Sequence, residues 1–505
     1  MIRLTWVQPE DLVGHELRQA MEDGRGGREA REGVRGAREG GQGGWEGGWD
    51  SGEGGAHVRE IAARWHAAGG HDAPPRAGAS APGARRLRGL AEELLDELAA
   101  IPSPLAEPSE LADIIAACPS WPGPTGGTPA TRDAPSAPHT AKGAAFRDGR
   151  PAGERHAGSG PVDPARVLGA WLGRAAGCVL GKPVEKIPRT GIREIAEATG
   201  NWPIRGWFTA SGLPAGVAAR WPWNRRSAVN SLAENIDGVP EDDDLNYPLL
   251  ALSALERHGR GFTTDDVARL WLEELPAGRT FTAERVAYRN LLDGAEPPGT
   301  ATYRNPFREW IGAMIRADVY GWVNPGDPAT AAEFAWRDAR LTHTANGIYG
   351  AMFAAAMCAA SLVATSAAEV VRAGLSVVPE RSRLHEAVRL AVADATREDD
   401  FERVIDLLHE RHGTLHWVHT INNAALVAAT LVHSGGDFTA TIAGAVAGGW
   451  DTDSAGATAG SVAGALNGGV PDRWRMRNSL ASSLTGFDGV GLDELAARTQ
   501  EMMGS

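Results

Sequence analysis

The sequence predicts an all-α fold. From about residue 163 onward, apolar residues recur at helical spacing in one segment after another, and glycine or proline bounds these segments. No stretch shows the alternation of β-branched and polar residues that is typical of strands. Alanine and glycine inside several segments indicate helices that approach each other closely. We therefore expect one compact helical domain over residues 161–500.

A region of different composition precedes this domain, over residues 1–160. Residues 24–55 contain 14 glycines in 32 positions, and residues 119–163 are rich in proline, glycine, alanine and threonine. Such compositions bury too little apolar surface to offset the chain entropy lost on folding, so we expect a disordered segment and a linker. Between them, leucines at helical spacing predict one amphipathic helix: Leu87, Leu90, Leu94, Leu95 and Leu98. The accessory region is thus predicted to be largely disordered, with short helices.

Charge, cysteine spacing and hydropathy restrict the function class. The net charge is −14, which does not favour a nucleic-acid-binding surface. The three cysteines lie far apart and have neither zinc-site nor disulfide spacing, so we expect a bacterial protein of the reducing cytoplasm. Residues 347–368 carry no charge, but about half of them are alanine or glycine. We expect a buried helix there and no membrane span.

Four adjacent carboxylates stand directly before an apolar helical segment. They are Glu241, Asp242, Asp243 and Asp244. The helix macrodipole favours one or two acidic residues at a helix N-terminus, and this accounts for only part of the cluster. Four like charges this close repel each other unless protons or a cation relieve them, so a hard metal ion is the natural partner.

A second acidic cluster lies about 200 residues further on, in the segment Gly448-Gly449-Trp450-Asp451-Thr452-Asp453-Ser454. Carboxylates in such an apolar, glycine-rich run are costly to bury unless they coordinate something. An N-cap would require only one of these polar residues. Two acidic clusters that each open a helix predict one binuclear site of oxygen ligands. Such ligands favour two Mg²⁺ ions, or Mn²⁺, over zinc.

A third motif consists of small residues at the spacing of helical turns. Glycines at 169, 173, 177 and 181 place one small face at every turn, which by itself indicates only tight helix packing. Pro183 ends this helix and leaves Glu185 on a loop.

These three motifs, in this order, resemble the ADP-ribosylglycohydrolase family. The family opens with a helix of the type GxxxGxAxGxxxGxPxE, matched from Gly169 to Glu185, and ends with Asp-Thr-Asp-Ser/Thr after a glycine pair, matched at Asp451 to Ser454. Its central Thr-Asp-Asp-Thr motif is matched in part at residues 241–244. The resemblance runs from about residue 164 to residue 495, and it implies an all-α fold that holds two magnesium ions.

The resemblance also implies roles for individual residues. The metal ligands would be Asp242, Asp243, Asp451, Asp453 and Ser454, and Glu185 would correspond to the mobile-loop glutamate that gates the site. On chemical grounds the catalytic acid or base would be a carboxylate that is not shared with the metal, and Glu185 and Asp243 are the candidates. The family's diphosphate-binding and histidine segments would correspond to Gly312, Ala313, Met314, Arg316 and His343 as substrate-binding residues. This chain departs from the family at Glu241 and Asp244, where threonines are usual, so the register of the first cluster is open by one residue.

Other polar and aromatic groups have a plainer interpretation. His412, His416 and His419 have a spacing that zinc could use, but no further ligand pair completes a site, so a structural or substrate-lining role is favoured. Trp310, Tyr320 and Trp322 flank the predicted diphosphate segment, where stacking on adenine and core packing are both open.

The sequence therefore predicts a magnesium-dependent hydrolase of the N- or O-glycosidic bond of an ADP-ribosyl group. Its substrate would be an ADP-ribosylated protein side chain or a related small molecule. Two alternatives stay open, namely a pseudoenzyme that binds ADP-ribose without turnover and a glycohydrolase of a nucleoside or secondary metabolite. An isoprenoid synthase is disfavoured because Asp-Asp-x-x-Asp spacing is absent.

Overall fold

A computed structural model describes residues 6–26, 53–73, 84–123 and 162–503 of the chain. It confirms the all-α prediction, because every regular element in these ranges is helical apart from two isolated β-bridges. The segments predicted to be disordered, residues 24–55 and 119–163, lie for the most part outside the described residues.

Within the described residues of the N-terminal region there are four α-helices. They are α1 (Pro9–Glu22), α2 (Glu53–Ala67), α3 (Arg88–Ala100) and α4 (Leu111–Ala116). The leucine pattern predicted α3, and Leu94, Leu95 and Leu98 are buried on one of its faces.

The helices that follow form the larger part of the molecule. Those of its first half are α5 (Pro164–Gly181), α6 (Arg189–Ala198), α7 (Ala215–Arg220), α8 (Ala228–Ser231), α9 (Asp243–His258), α10 (Thr264–Glu274), α11 (Thr282–Leu292), α12 (Gly299–Thr302) and α13 (Asp318–Trp322). Those of its second half are α14 (Pro328–Ala339), α15 (Ala345–Ser361), α16 (Ala367–Leu375), α17 (Arg383–Arg397), α18 (Phe401–His412), α19 (Thr420–His433), α20 (Phe438–Ala447), α21 (Thr452–Asn467) and α22 (Leu492–Glu501).

The glycine helix α5 packs antiparallel against α21, and this pair sets the geometry of the site. A Cβ atom on Gly173 would lie 2.0 Å from the carbonyl oxygen of Gly460, and one on Gly181 would lie 2.2 Å from that of Thr452. Only glycine permits so close a backbone approach. The end of α5, which leads to Glu185, is thereby held beside the start of α21, where the second acidic cluster lies.

The uncharged stretch from residue 347 forms most of α15, and it is buried as predicted. Every residue of this helix from Asn346 to Ser361 is inaccessible to solvent or nearly so. Within the ranges that the structure covers, no helix combines the length and the apolar character that crossing a bilayer requires.

The N-terminal helices share a hydrophobic core with the larger helical part. Leu12 of α1 and Leu94 of α3 belong to a buried cluster that also contains Ala283, Phe307 and Trp310. The predicted boundary near residue 160 stays a prediction, but it does not separate two independent cores. The described part of the accessory region packs directly onto the helices that surround the site.

Polar contacts reinforce this packing. Arg383 at the start of α17 pairs with Glu107 at 2.6 Å and with Glu309 at 2.6 Å. Gln19 of α1 donates a buried hydrogen bond of 2.7 Å to Glu309. Because each carboxylate of this network has a charged or amide partner, the network fixes the N-terminal region on the larger part without leaving an unpaired buried charge.

Candidate active site

Both acidic clusters line one cleft of about 1280 Å³. The first cluster stands at the N-terminus of α9 and the second at the N-terminus of α21, so two helix N-termini meet at the same space. The packing of α5 against α21 brings Glu185 to the same cleft.

The start of α9 is built around Asp242. Its carboxylate caps the helix by accepting a hydrogen bond of 3.0 Å from the N–H of Asp244, and it also pairs with the ammonium group of Lys182. Glu241 is engaged elsewhere, because Ser483 N–H donates to it at 2.9 Å and Arg279 pairs with it at 2.8 Å. Glu241 is therefore neutralised at the edge of the cleft and leaves the three aspartates as the reactive part of the first cluster.

The start of α21 meets the start of α9 through Ser454. The Ser454 hydroxyl donates a hydrogen bond of 3.1 Å to Asp244 Oδ2, and its backbone N–H donates one of 3.2 Å to Asp453 Oδ1. The backbone N–H of Asp451 donates to Asn423 Oδ1 at 3.2 Å. Gly449 allows the chain to turn into the helix, since it has a φ of +71° and leaves no room for a Cβ beside Arg189.

The carboxylates of the two clusters carry more negative charge than the surrounding protein balances. Burial, together with repulsion by neighbouring carboxylates, raises the pKa of Asp243, Asp244 and Asp451 well above the ordinary value. The same causes raise the pKa of Asp453 to about 7. Asp242 is the exception, because Lys182 outweighs the effect of burial and lowers its pKa.

The unbalanced negative charge of these carboxylates favours the binding of a cation. Ligand atoms of Asp242, Asp244 and Cys178 lie within 4.8 Å of one another, which is close enough to share one ion. Burial raises the pKa of the Cys178 thiol well above its usual range, so the carboxylate oxygens are the better donors. A set of carboxylate and hydroxyl oxygens suits Mg²⁺ or Mn²⁺, and the residues present therefore fit the predicted cofactor.

Glu185 lies at the end of a short 3-10 helix, Lys182–Val184, which follows α5. Its Oε2 accepts a hydrogen bond of 2.6 Å from Asn224 Nδ2, and its Oε1 pairs with Lys186 Nζ at 2.8 Å. The side chain is only 17% exposed. The carboxylate is thus held at the cleft by two partners.

The predicted diphosphate segment is a 3-10 helix, Ile311–Arg316, of which only part reaches the cleft. Ile311, Gly312 and Ile315 line the cleft. A Cβ at Gly312 would lie 2.0 Å from Glu284 Oε1, so the end of the Glu284 side chain would have to move to admit one. Ala313 and Met314 are buried in the core beneath.

Arg316 and His343 lie below the cleft surface. The Arg316 guanidinium pairs with Glu284 at 2.9 Å and with Asp338, and it is 1% exposed. His343 Nδ1 lies 2.5 Å from Thr342 Oγ1, and the side chain is fully buried. In this conformation both residues support the floor of the cleft, and direct contact with a substrate stays a prediction for them.

The aromatic trio and His416 pack in the interior of this fold. His416 stacks on Trp310 with ring centroids 4.1 Å apart, and within the described ranges none of the three histidines joins a group of metal-ligating atoms. Trp310, Tyr320 and Trp322 are at most 2% exposed. Core packing, one of the two alternatives for these aromatic residues, is therefore the one that the structure supports.

Several cleft residues were not among the predicted site residues. Asp244 could have been found from the open register of the first cluster, since it is the fourth of four adjacent acids. Lys182 and Asn224 carry no motif that marks them. No motif marks Trp6, Phe281 and Arg285 either. These three residues line the cleft together, although Trp6 is far from the other two in the sequence.

Comparison with known proteins agrees with this architecture. Residues 161–503 match the family described as ADP-ribosylglycohydrolase. Among solved structures, a chain of an "ADP-ribosylglycohydrolase-related protein complex" is similar, with 23% identity over 67% of this chain and 97% of that chain, at a TM-score of 0.41. No curated protein matches the chain. Because the family match covers more than half of its length, the chain belongs to the ADP-ribosylglycohydrolase family.

Proposed function

We propose that this protein is a magnesium-dependent glycohydrolase that cleaves the N- or O-glycosidic bond of an ADP-ribosyl group. One observation supports the proposal most directly. The acidic N-termini of α9 and α21 are joined by the hydrogen bond between Ser454 and Asp244, and they line the same cleft as Glu185. The substrate would be an ADP-ribosylated protein side chain or a related ADP-ribosyl compound, in the bacterial cytoplasm.

The acidic clusters would hold two cations. The predicted ligands Asp242, Asp243, Asp451, Asp453 and Ser454 all line the cleft, and the hydrogen bond from Ser454 adds Asp244 to this set. When bound, Mg²⁺ would orient the ribose hydroxyls and lower the pKa of a nearby water.

The chain's own carboxylates supply the remaining chemistry. Cleavage at an anomeric carbon passes through an oxocarbenium-like transition state, which nearby negative charge stabilises. Glu185, held by Asn224 and Lys186, would remove a proton from an attacking water and return it to the departing acceptor. Asp243 is the second candidate for this acid or base, in a register of the first cluster that leaves its carboxylate free of the cation.

A second candidate is a protein that binds ADP-ribose without hydrolysing it. Lys182 already neutralises Asp242, and Arg279 neutralises Glu241, which stands where the family usually has threonine. Both ion pairs reduce the charge that is available to a cation. A glycohydrolase of a nucleoside or secondary metabolite would use the same cleft with a different acceptor.

The experiment that separates these candidates is release of free ADP-ribose from ADP-ribosylated arginine and serine peptides. It is carried out with magnesium, with EDTA, and with Asp451→Asn. Asp472→Asn is the matched control, because this aspartate is 95% exposed and lies outside the cleft. Release that requires metal and is lost only in Asp451→Asn supports the hydrolase and identifies the linkage. Absence of release, with ADP-ribose still raising the melting temperature, supports the binder.

A further inference from the structure

One wall of the cleft is an aromatic and cationic surface that consists of Trp6, Phe281 and Arg285. The Arg285 guanidinium carbon lies 5.0 Å from the centroid of the Trp6 ring and 5.6 Å from that of Phe281. The two rings are 6.3 Å apart and tilted by 54°. All three side chains are only partly buried, so this surface faces the space of the cleft.

Trp6 lies far outside the part of the chain that matches the family, which begins at residue 161. Its position is nevertheless fixed. Arg289 of α11 donates a hydrogen bond of 2.6 Å to the carbonyl oxygen of Val7, and Val7 itself is buried. Helix α1 begins directly afterwards and is anchored in the core that the N-terminal helices share with α11.

Helix α11 connects this shared core to the cleft. Its residues Ala283 and Val286 are fully buried in the core that contains Leu12 and Leu94, while Phe281, Thr282 and Arg285 at its start line the cleft. The N-terminal region therefore supplies one side chain of the cleft wall directly and supports the helix that supplies the others.

The wall adjoins the site of the expected diphosphate. Glu284, which precedes Arg285, is packed against Gly312, so the wall and the 311–316 segment are neighbours. An aromatic ring suits the flat face of a nucleotide base, and an arginine suits both a base and a phosphate. The tryptophans near this segment that the sequence pointed to, Trp310 and Trp322, are buried and offer no such face.

From this arrangement we propose that Trp6, with Phe281 and Arg285, binds the nucleotide base of the ADP-ribosyl substrate. The proposal rests on the proposed function for the identity of the ligand. It makes the N-terminal region a part of the substrate site, because Trp6 lies outside the family-matching residues and lines the cleft beside Phe281 and Arg285.

The test measures equilibrium binding to the full chain by calorimetry, with AMP and with ribose 5-phosphate as probes. The first probe has a base and the second has none. We expect Trp6→Ala to weaken AMP binding about 10-fold, as base–aromatic stacking energies imply, and to leave ribose 5-phosphate binding unchanged. Trp6→Phe keeps an aromatic face and is expected to restore most of the affinity for AMP.

Trp202→Ala is the matched control. Trp202 is also partly buried and also lies under an arginine, with Arg193 5.2 Å from its ring centroid, but it does not line the cleft. This variant is expected to bind both probes as the unaltered protein does. The melting temperature of each variant shows that it is folded.

The result that overturns the proposal is AMP binding that Trp6→Ala leaves unchanged, or binding of both probes that falls equally. Failure of the proposed function is a separate result, since it would appear as absent ADP-ribose release while AMP binding still depends on Trp6. If the unaltered protein binds no AMP, the proposal fails whatever the hydrolysis assay shows.

Discussion

The hydroxyl of Ser454 donates a hydrogen bond of 3.1 Å to Asp244, and this contact joins the N-termini of α9 and α21 across the cleft. The two residues are 210 positions apart in the sequence. Asp244 is 1% exposed and also faces the guanidinium of Arg174 at 3.5 Å. It is thus a carboxylate that links both acidic clusters, and we propose it as a further ligand of the expected cation.

Asp244→Asn is therefore expected to weaken metal binding while the chain still folds. The amide keeps the shape of the side chain but removes a charge from the group that surrounds the expected ion. The measurement is the rise in melting temperature on adding MgCl₂ or MnCl₂ to EDTA-treated protein. We expect at least half of this rise to be lost in Asp244→Asn and all of it to persist in Asp472→Asn, whose side chain is 95% exposed and lies outside the cleft. A full rise in both variants would exclude Asp244 from the ligand set.

Glu185→Gln is expected to remove turnover without removing the metal. The carboxylate is held by Asn224 and Lys186, and glutamine keeps its length but cannot exchange the proton that hydrolysis requires. We expect kcat to fall by about 10²-fold or more, with the metal-induced rise in melting temperature retained. Glu410→Gln, an exposed glutamate of α18, is the control. Unchanged kcat would assign proton transfer to another group, with Asp243 as the first candidate.

The sequence predicted those features that depend on local pattern. Glycines at every turn of α5 predicted its close packing, and the acidic residues before α9 and α21 predicted that a helix begins at each cluster. Each of these features lies within one short segment, where spacing determines the result.

The sequence did not predict the features that depend on contacts between distant segments. Trp6 reaches the cleft only because α1 packs on α11, and Arg316 lies below the cleft because Glu284 and Asp338 bind it from two other helices. No local pattern contains such information. Composition therefore predicts a largely disordered accessory region with short helices, whereas its described helices share a core with the larger part.

Gly177→Ala is expected to destabilise the fold by disrupting the contact between α5 and α21. The new Cβ would lie 1.9 Å from the carbonyl oxygen of Gly456, so the two helices would have to move apart. Overpacking of this kind costs roughly 1–3 kcal/mol of unfolding free energy. Gly216→Ala in α7 is the matched control, because nothing lies within 4 Å of its Cβ and alanine favours a helix. Chemical denaturation is expected to show changes of opposite sign, and equal changes would contradict the close contact.

The last prediction concerns His15 of α1, which packs against Phe307, Trp310 and His416. Burial, assisted by the charge of Arg18, lowers the pKa of His15 to about 3. In the unfolded chain the pKa is near 6.5, so below that pH the unfolded state binds a proton that the folded state does not. The contribution of neutral, buried His15 to the unfolding free energy is thus fully present above pH 6.5 and is lost as the pH falls toward 3.

The share of His15 in this loss is about 2 kcal/mol between pH 7 and pH 5. His15→Gln cannot titrate, so we expect its unfolding free energy to fall by that much less than that of the unaltered protein over this range. His71→Gln is the control, because His71 is exposed. Urea denaturation at the two pH values measures the difference. If His15→Gln and His71→Gln lose stability in parallel with the unaltered protein, His15 takes up its proton in the folded state. The contact between α1 and Trp310 would then accommodate the charged imidazole of His15. That result would contradict the buried, neutral contact that holds the N-terminal region beside the cleft.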